Sequence, residues 1–304
     1  MIPQAKLAGI DPISEALQDI LPLLVAGRFF VTWRLLNYQI YNIFENMAID
    51  EAVFQETIKN RKPPTIRFYG SHPAAVSIGY FQDIRKEVNI ERCRIIGVDV
   101  VRRITGGKAV FHFDEITYCV VAGAWEKSFP PNISETYKII SQCIVCGLSS
   151  LGIKAHLAQT GRIASGEELK SYCFSVPSKS ELLVKGRKIC GSAQARRREG
   201  FLQHGSLLLV FDAQKTASLL LPERSPDYWK KLKKSVTAIN EERVSPAAAQ
   251  DICFALKNGF IKELGIELLE DTLTAAEENL KNELVKKYIG AYWNMEKGKR
   301  AYNK

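Results

Sequence analysis

Short segments in which apolar and polar residues alternate dominate the sequence, and they constrain the fold more than any other feature. A period of two is typical of half-buried strands. It predicts strands over the following segments: 32–36, 65–69, 74–80, 98–103, 109–113 and 116–122. Two further arms are predicted at Glu181–Cys190, turning at Lys185-Gly186, and at Gln203–Phe211. We expect antiparallel hairpins. Strands framed by a few helices predict an α+β fold with a mixed, largely antiparallel sheet.

Helical spacing appears in a smaller number of segments. It predicts helices that begin and end at Glu45 and Lys59, at Ser134 and Gly152, at Ser245 and Gly259, and at Thr274 and Tyr288. In the first of these helices Asp50 and Glu51 fall away from the apolar face, so we expect them to point outward. The last helix begins with Thr274-x-x-Glu277, which has the spacing of a capping box.

The domain organisation follows from composition along the chain. No internal repeat or low-complexity tract divides it, which favours one continuous domain. We expect residues 1–30 to form an N-terminal extension that is helical or loosely ordered. Residues 31–244 are predicted to form the main domain, and residues 245–304 a small α-rich C-terminal lobe.

The cysteine content and the apolar runs bear on the compartment. The chain has 7 cysteines, an odd number that argues against a secreted disulfide framework and favours a reducing, cytoplasmic setting. The apolar run from Ile20 to Val25 is short and follows acidic residues, unlike a signal peptide. Because no stretch reaches the roughly 18 apolar residues of a membrane span, we expect no membrane partner.

The charge of the chain favours an acidic partner. It carries 42 Lys and Arg against 33 Asp and Glu, a formal net charge of +9, and such an excess raises encounter rates with anionic molecules without specifying them. The densest cluster is Arg196-Arg197-Arg198, near Lys185, Arg187 and Lys188. It lacks the interleaved aromatic residues of a single-strand binder, so a solvated hairpin face is the simpler interpretation and nucleic acid is not the expected partner.

A glycine pair follows two arginines in Arg102-Arg103-Ile104-Thr105-Gly106-Gly107. Adjacent glycines permit positive φ and let a ligand approach backbone N–H groups, while arginine supplies a forked donor. The segment suits an anionic or carboxyl-derived substrate. Taken alone, such a segment is more often a tight turn between strands. It is not a Walker loop, because the Gly-x-x-x-x-Gly-Lys-Ser/Thr pattern is absent.

A second segment joins a cysteine to a lysine. Pro177 and Ser178 predict a loop around Cys173, so its thiol need not be buried. A free thiol is only a few per cent ionised at neutral pH, and a nearby ammonium stabilises the thiolate. Lys188, on the strand before Gly191-Ser192, is the natural partner.

The remaining thiols and imidazoles have structural alternatives. Cys143-x-x-Cys146 lies inside a predicted amphipathic helix without a second pair or clustered histidines, so packing is a better interpretation than zinc binding. We predict no metal site. His112 and His204 lie on predicted strands, and from the residues alone each is either a structural or a functional histidine.

Together these segments resemble the biotin/lipoate protein ligase family, and within it the branch that transfers octanoyl groups from octanoyl-acyl carrier protein. The matching stretches are colinear: 33–36, 45–52, 67–70, 75–82, 102–107, 186–194 and 202–206. Lys287-Tyr288 and Trp293-Asn294 also resemble the family. The resemblance implies the fold of the class II biotin-synthetase catalytic domain for residues 31–244.

The resemblance also implies an activity without a bound cofactor. Cys173 would accept the octanoyl group as a thioester, and Lys188 would depress the pKa of its thiol. The acceptor would be a lysine of the glycine cleavage H protein or of a dehydrogenase lipoyl domain, and the enzyme would act as a monomer in lipoate biosynthesis. Substrate would be bound by residues of several segments: Tyr69, Arg103, Thr105, Gly106, Gly107, His112, Gly191, Ser192, Gln194, His204 and Gly205.

Two departures and three alternatives accompany this prediction. Position 71 is Ser where the family pattern has tryptophan, and Phe113 separates His112 from Asp114 where the family joins histidine and acid. One alternative is an ATP-dependent lipoate or octanoate ligase with Cys173 as a bystander. Another is an amidotransferase that moves octanoyl groups between lipoyl-accepting proteins. The third is a non-catalytic effector that binds lipoyl domains or nucleic acid.

Overall fold

A computed structural model describes residues 31–158, 181–220 and 226–295. The strands are β1 Val31–Tyr41, β2 Thr65–Ser71, β3 Ala75–Ile78, β4 Asp99–Arg102, β5 Val110–His112, β6 Glu115–Gly123, β7 His156–Leu157, β8 Leu182–Val184, β9 Arg187–Arg197, β10 Gly200–Leu208 and β11 Ile266–Asp271. The helices are α1 Ile43–Asn60, α2 Ile84–Glu87, α3 Ile90–Ile95, α4 Ile133–Ser150, α5 Ala213–Leu219, α6 Tyr228–Ser235, α7 Ala249–Leu264, α8 Ala275–Ile289 and α9 Ala291–Met295. The predicted α+β class is confirmed.

The strands form two sheets. An 8-stranded sheet has the order β11-β1-β2-β6-β10-β9-β8-β7, and a 3-stranded sheet has the order β4-β3-β5. In the large sheet β1 and β2 are parallel, whereas the pairs from β2 to β7 are antiparallel. The expected mixed, largely antiparallel sheet is therefore correct.

The expectation of hairpins is only partly correct. β8, β9 and β10 are joined as antiparallel neighbours. The turn between β8 and β9 is at Lys185 and Gly186, as predicted, with φ of 50° and 79°, the positive values that a tight two-residue hairpin turn requires. However, β2 and β3 lie in different sheets, as do β5 and β6, and β3 pairs with β4 in parallel. A period of two identifies a strand but not its partner.

Helix α1 is buried on two sides, which overturns the prediction for its acids. Asp50 is 2% exposed and Glu51 4%. Asp50 faces Arg67 of β2, and Glu51 faces Lys287 and Tyr288 of α8. Both carboxylates carry buried ion pairs or hydrogen bonds instead of facing solvent, because α8 covers the side of α1 that the sheet leaves open.

Helices α4 and α7 cross closely beside the main hydrophobic core, which lies between them and the large sheet. A Cβ atom on Gly259 would lie 2.2 Å from the carbonyl oxygen of Cys143 and 2.7 Å from the nitrogen of Gly147. Gly259 is therefore a packing glycine inside α7, and the predicted helix end there is wrong. The helix continues to Leu264 and ends at Gly265, which has a φ of 62°.

The C-terminal segment contributes to the main sheet. Strand β11 lies beside β1 at its edge, and α8 packs on α1. The capping box of Thr274 and Glu277 is present as predicted, and the same Glu277 pairs with Arg34 of β1 at 2.8 Å. The boundary at residue 244 stays a prediction, and residues 1–30 lie outside the described ranges. Among the described helices, none combines the length and the apolar character needed to cross a bilayer.

Candidate active site

A narrow cavity lies on the face of the large sheet toward α1 and the small sheet. It encloses about 360 Å³ between atoms, part of which is open to solvent. Seven of the residues that sequence analysis assigned to substrate contact line it: Tyr69, Arg103, His112, Gly191, Ser192, His204 and Gly205. Thr105 contacts His204, while Gly106 and Gln194 line an adjoining groove. The structure thus brings together segments far apart in sequence.

Arg103 holds the glycine loop in place. Its guanidinium donates to the carbonyl oxygens of Gly106 and Lys108, both at 2.8 Å, and to the hydroxyls of Thr105 at 3.1 Å and Ser77 at 3.0 Å. The fork that we expected to meet substrate therefore binds the protein's own loop. The loop is tight as well, since Gly107 has a φ of 88° and its would-be Cβ atom lies 2.8 Å from the Arg103 side chain.

One acid, one imidazole and one hydroxyl form a chain of hydrogen bonds beside Arg103. The Nδ1 atom of His204 lies 3.2 Å from Oδ2 of Asp50, and its Nε2 atom lies 2.7 Å from Oγ1 of Thr105. Asp50 is held in turn by Arg67 at 2.7 Å and by the Tyr69 hydroxyl at 2.8 Å. We call Asp50, His204 and Thr105 the first relay.

A second relay has the same order of groups. The Nδ1 atom of His112 lies 2.5 Å from Oε1 of Glu115, and its Nε2 atom lies 2.7 Å from Oγ of Ser77. Glu115 also accepts hydrogen bonds from the Thr117 and Ser206 hydroxyls. Glu115 thus supplies the carboxylate three residues after His112, so the displacement of Asp114 from the family position leaves His112 with an acid partner.

The carboxylates fix the tautomers of both imidazoles. An ionised carboxylate can only accept, so each histidine, when neutral, donates from Nδ1 to Asp50 or Glu115. The Nε2 atom is then an acceptor, and the Thr105 or Ser77 hydroxyl donates to it. Arg103, which can only donate, bonds to a lone pair of each hydroxyl oxygen. Both relays therefore present a basic nitrogen that is hydrogen-bonded to a hydroxyl at the cavity.

Burial and ion pairing set the charges in the first relay. Burial lowers the pKa of His204, which Asp50 only partly offsets, so the imidazole is neutral at neutral pH. Burial opposes ionisation of Asp50, but Arg67, His204 and Tyr69 outweigh it and hold the carboxyl pKa below its ordinary value. In the second relay burial likewise opposes ionisation of Glu115, and His112, Ser206 and Thr117 lower its pKa overall.

Of the two predicted catalytic residues, only Lys188 lies within the residues that the structure describes. Lys188 is fully buried on β9, and its ammonium donates to the Glu181 carboxylate at 2.5 Å. Cys173 lies outside the described residues, so its role stays a prediction. The free cysteines in the described ranges include Cys143, which is buried, and Cys146. In those ranges no cluster of His, Cys, Asp or Glu side chains has the arrangement of a metal site.

Sequence reasoning missed the acids and one hydroxyl of the relays. Asp50 was assigned to the surface, and Glu115 and Ser77 were given no role. Two of them have partners that are distant in sequence, since Asp50 meets a histidine 154 residues away and Ser77 meets one 35 residues away. The only signal was local, namely an acid three residues after His112 at the start of a strand.

Comparisons with known proteins show which family has this architecture. Residues 42–261 match the family described as the lipoyl protein ligase A/B catalytic domain. Octanoyltransferase LipM of Brevibacillus brevis is 39% identical over 277 residues, covering 86% of this chain and 98% of that protein. Octanoyltransferase LipM of Bacillus subtilis is 38% identical over 271 residues, covering 86% and 98%.

Solved structures agree with the sequence matches. A crystal structure of lipoate-protein ligase A bound with ATP has a TM-score of 0.72 at 27% identity, covering 87% of this chain and 98% of that one. A bipartite lipoate protein ligase from Thermoplasma acidophilum gives 0.72 at 26% identity, covering 88% and 96%. The matched span includes both relays, Lys188 and the glycine loop. The chain therefore belongs to the lipoyl protein ligase A/B catalytic-domain family, in its octanoyltransferase branch.

Proposed function

We propose that the protein transfers an octanoyl group from octanoyl-acyl carrier protein, through a thioester on Cys173, to a lysine of a lipoyl-accepting protein. The observation that carries this proposal is the similarity to octanoyltransferases over 98% of their length. Membership of this branch requires an octanoyl donor and a lipoyl-accepting protein. The acyl carrier protein as donor, the glycine cleavage H protein or a lipoyl domain as acceptor, and a monomeric, cytoplasmic enzyme are the finer parts of the proposal.

The first step exchanges one thioester for another. The Cys173 thiolate attacks the octanoyl carbonyl, the carbon–sulfur bond to the carrier breaks, and the carrier thiolate leaves and takes up a proton. The ammonium of Lys188 would favour the thiolate form of Cys173. Glu181 holds that ammonium at 2.5 Å within the fold. Since a thioester replaces a thioester, this step needs no ATP.

The second step forms an amide. A neutral lysine amine of the acceptor attacks the acyl-cysteine, the carbon–sulfur bond breaks, and the Cys173 thiolate is restored. A free lysine has a pKa near 10.4, so the amine must lose a proton to react. The relays suit this task, because each places an imidazole behind a hydroxyl, with a carboxylate to stabilise the imidazolium that results. Backbone N–H groups near Gly191 and Ser192, which line the cavity, are candidates for holding the oxyanion.

The ATP-dependent ligase is the rival function, and one similar structure is a ligase that binds ATP. The two functions differ in what they require of Cys173. A ligase activates a free acid with ATP and has no need of a thiol, whereas the transferase has no route without it.

Intact mass spectrometry tests the proposal. We expect incubation with octanoyl-acyl carrier protein to add one octanoyl group that maps to Cys173 and is released by hydroxylamine. Cys173→Ala should abolish the adduct and transfer to H protein, with or without ATP, while the matched variant Cys146→Ala should retain both. If Cys173→Ala still loads free octanoate or lipoate when ATP and magnesium are added, the chain is a ligase and the proposal is wrong.

Donor competition separates the amidotransferase alternative. With octanoyl-acyl carrier protein and octanoyl-H protein supplied together, we expect the acyl group on Cys173 to come from the carrier protein. Preferential loading from octanoyl-H protein would assign the chain to transfer between lipoyl-accepting proteins instead.

A further inference from the structure

A second concave surface adjoins the active-site cavity along the same two chain segments. It encloses about 1100 Å³, part of which is open to solvent. Strand β9 supplies Ala193 to the cavity and then Gln194 to Arg197 to this surface, and the glycine loop supplies Arg103 to the cavity and Gly106 to this surface. We call the second surface the β9 groove. A linear molecule that follows β9 would pass from one to the other.

The β9 groove carries an excess of positive charge. Arg196, Arg197 and Lys287 line it, against one carboxylate, Glu51. Two of these cations form hydrogen bonds within the protein. Lys287 donates to Glu51 at 2.6 Å, and Arg196 donates to the Pro131 carbonyl at 2.9 Å and to Thr136.

Arg197 is the cation available to a ligand. Its guanidinium lies 5.4 Å from the Phe54 ring, and within the described ranges it makes no ion pair with a carboxylate. The side chain is exposed. A guanidinium that packs over an aromatic ring keeps its N–H donors available for hydrogen bonds to an anion.

The same groove has an aromatic wall formed by Tyr80, Phe81 and Trp293. The Phe81 side chain is 80% exposed and packs edge-on to Tyr80 with ring centroids 4.9 Å apart. The ring centroid of Trp293 lies 5.8 Å from that of Tyr80 on the same wall. A large exposed phenylalanine in the same groove as an exposed guanidinium suits a ligand that is partly apolar and carries one anionic group.

We propose that the β9 groove binds the 4′-phosphopantetheine arm of the acyl donor, with its phosphate at Arg197 and its thioester at the cavity. This inference rests on the proposed function, because it assumes a thioester donor. The arm has the required chemistry: a phosphate at one end, then a dimethyl group and amides that suit the aromatic wall, then the acyl-bearing sulfur.

The length of the phosphopantetheine arm matches the distance along β9 from the cavity to Arg197. From Ala193 to Arg197 the strand advances four residues, or about 13 Å at ~3.3 Å per residue. The arm has about thirteen bonds between sulfur and phosphorus, which span ~15 Å if extended at the advance per bond of an extended chain. The phosphate of a donor whose sulfur is at the cavity therefore reaches Arg197.

A comparison of two donors tests the proposal. Octanoyl-pantetheine and octanoyl-4′-phosphopantetheine differ only in the phosphate, so the ratio of their kcat/KM values for acylating the enzyme isolates the phosphate contact. We expect the wild-type protein to prefer the phosphorylated donor by about tenfold, the effect of one charge-assisted hydrogen bond. In Arg197→Ala the ratio should fall to near one. The matched variant Arg198→Ala, altered at the next residue of the same hairpin, should keep the wild-type ratio.

Each contrary outcome has a defined meaning. Equal rates from both donors in the wild-type protein would overturn the inference and leave the proposed function intact. A rise in the KM for the acceptor protein in Arg197→Ala, with the donor ratio unchanged, would assign the groove to acidic side chains of the acceptor and also overturn the inference. If neither donor nor octanoyl-acyl carrier protein acylates the enzyme, the proposed function fails and the inference with it.

Discussion

Arg103 donates to one hydroxyl in each of the two relays, Thr105 in the first and Ser77 in the second. Because the carboxylates of Asp50 and Glu115 can only accept, each histidine, when neutral, donates from Nδ1 and accepts at Nε2 from its hydroxyl. Each histidine thus has a fixed tautomer and a basic Nε2 atom directed at a hydroxyl. The sequence predicts Arg103 as a substrate ligand, and in the structure its guanidinium donates to the glycine loop and to the Thr105 and Ser77 hydroxyls.

Removal of the Thr105 hydroxyl should separate positioning from packing. In Thr105→Val the Nε2 atom of His204 loses its donor while side-chain volume is conserved. We expect kcat for amide formation to fall about tenfold or more, since the imidazole loses the hydroxyl through which it would accept the proton of the amine. The Nδ1–H tautomer should persist because Asp50 still accepts from Nδ1, and nitrogen NMR of the His204 ring should report a shift of the Nε2 resonance from loss of its hydrogen bond.

Thr57→Val is the matched control for this substitution. Thr57 is fully buried on α1, and its hydroxyl has no hydrogen-bond partner in the described part of the chain. We expect unchanged kcat and equal or greater stability. If Thr105→Val leaves the His204 nitrogen shifts and kcat at wild-type values, the first relay has no part in transfer.

The buried His204 should make the fold sensitive to mild acid. Burial lowers its pKa, and neighbouring Arg103 and His112 act in the same direction, against the opposing effect of Asp50. The unfolded chain therefore binds this proton more readily than the native protein, so the free energy of unfolding falls as pH drops below about 6.5. Asp50 and Glu115, whose pKa values are lowered, add a further loss below about pH 4.

Thermal unfolding between pH 7 and pH 5 measures this contribution. We expect the Tm of the wild-type protein to fall over this range and that of His204→Gln to fall less, since glutamine does not titrate. His156→Gln, which alters an exposed histidine, should match the wild-type slope. Parallel Tm curves for wild type and His204→Gln would contradict the assignment.

At the scale of elements, the close crossing of α4 and α7 depends on Gly259, which has no side chain. Gly259→Ala would place a Cβ atom 2.2 Å from the Cys143 carbonyl oxygen, and backbone cannot yield as a flexible side chain would. Overpacking of this kind costs about 1–3 kcal/mol, and we expect a loss near the upper end in chemical denaturation. Ser149→Ala, on the exposed side of α4, should be neutral. A loss below about 0.5 kcal/mol for Gly259→Ala would show that the helices separate freely.

The elements were predictable where their signals are local. The capping box of Thr274 and Glu277 and the turn at Lys185-Gly186 are specified within four residues, and both were predicted correctly. Gly259 shows where local signals fail. From the sequence, a glycine near the end of a helical pattern could either end the helix or allow a second helix to pack closely against it. Its neighbour across the crossing, Cys143, lies more than one hundred residues earlier in the chain.

The strand partners and the burial of charged side chains were harder to predict from the sequence, because they too depend on distant segments. Alternation showed that β2 and β3 are strands, but their partners are chosen by distant segments, β6 for one and β4 with β5 for the other. Asp50 on α1 was assigned to the surface because carboxylates usually lie there. Its burial is specified by Arg67, Tyr69 and His204, which the helix pattern does not contain. The family motifs nevertheless identified seven of the cavity-lining residues.

At the scale of the whole molecule, the net charge of +9 gives a test of the donor. If the octanoyl group arrives on an acidic carrier protein, attraction should raise the encounter rate, and salt should screen it because the Debye length shrinks to a few ångströms. We expect kcat/KM for octanoyl-acyl carrier protein to fall about tenfold between 0.05 and 0.5 M salt. Neutral octanoyl-pantetheine, which lacks both the carrier and the phosphate, should react at a rate that salt hardly changes. An equal response from the two donors would trace the salt effect to the enzyme's own stability or chemistry, and the excess of basic residues would then have no role in donor capture.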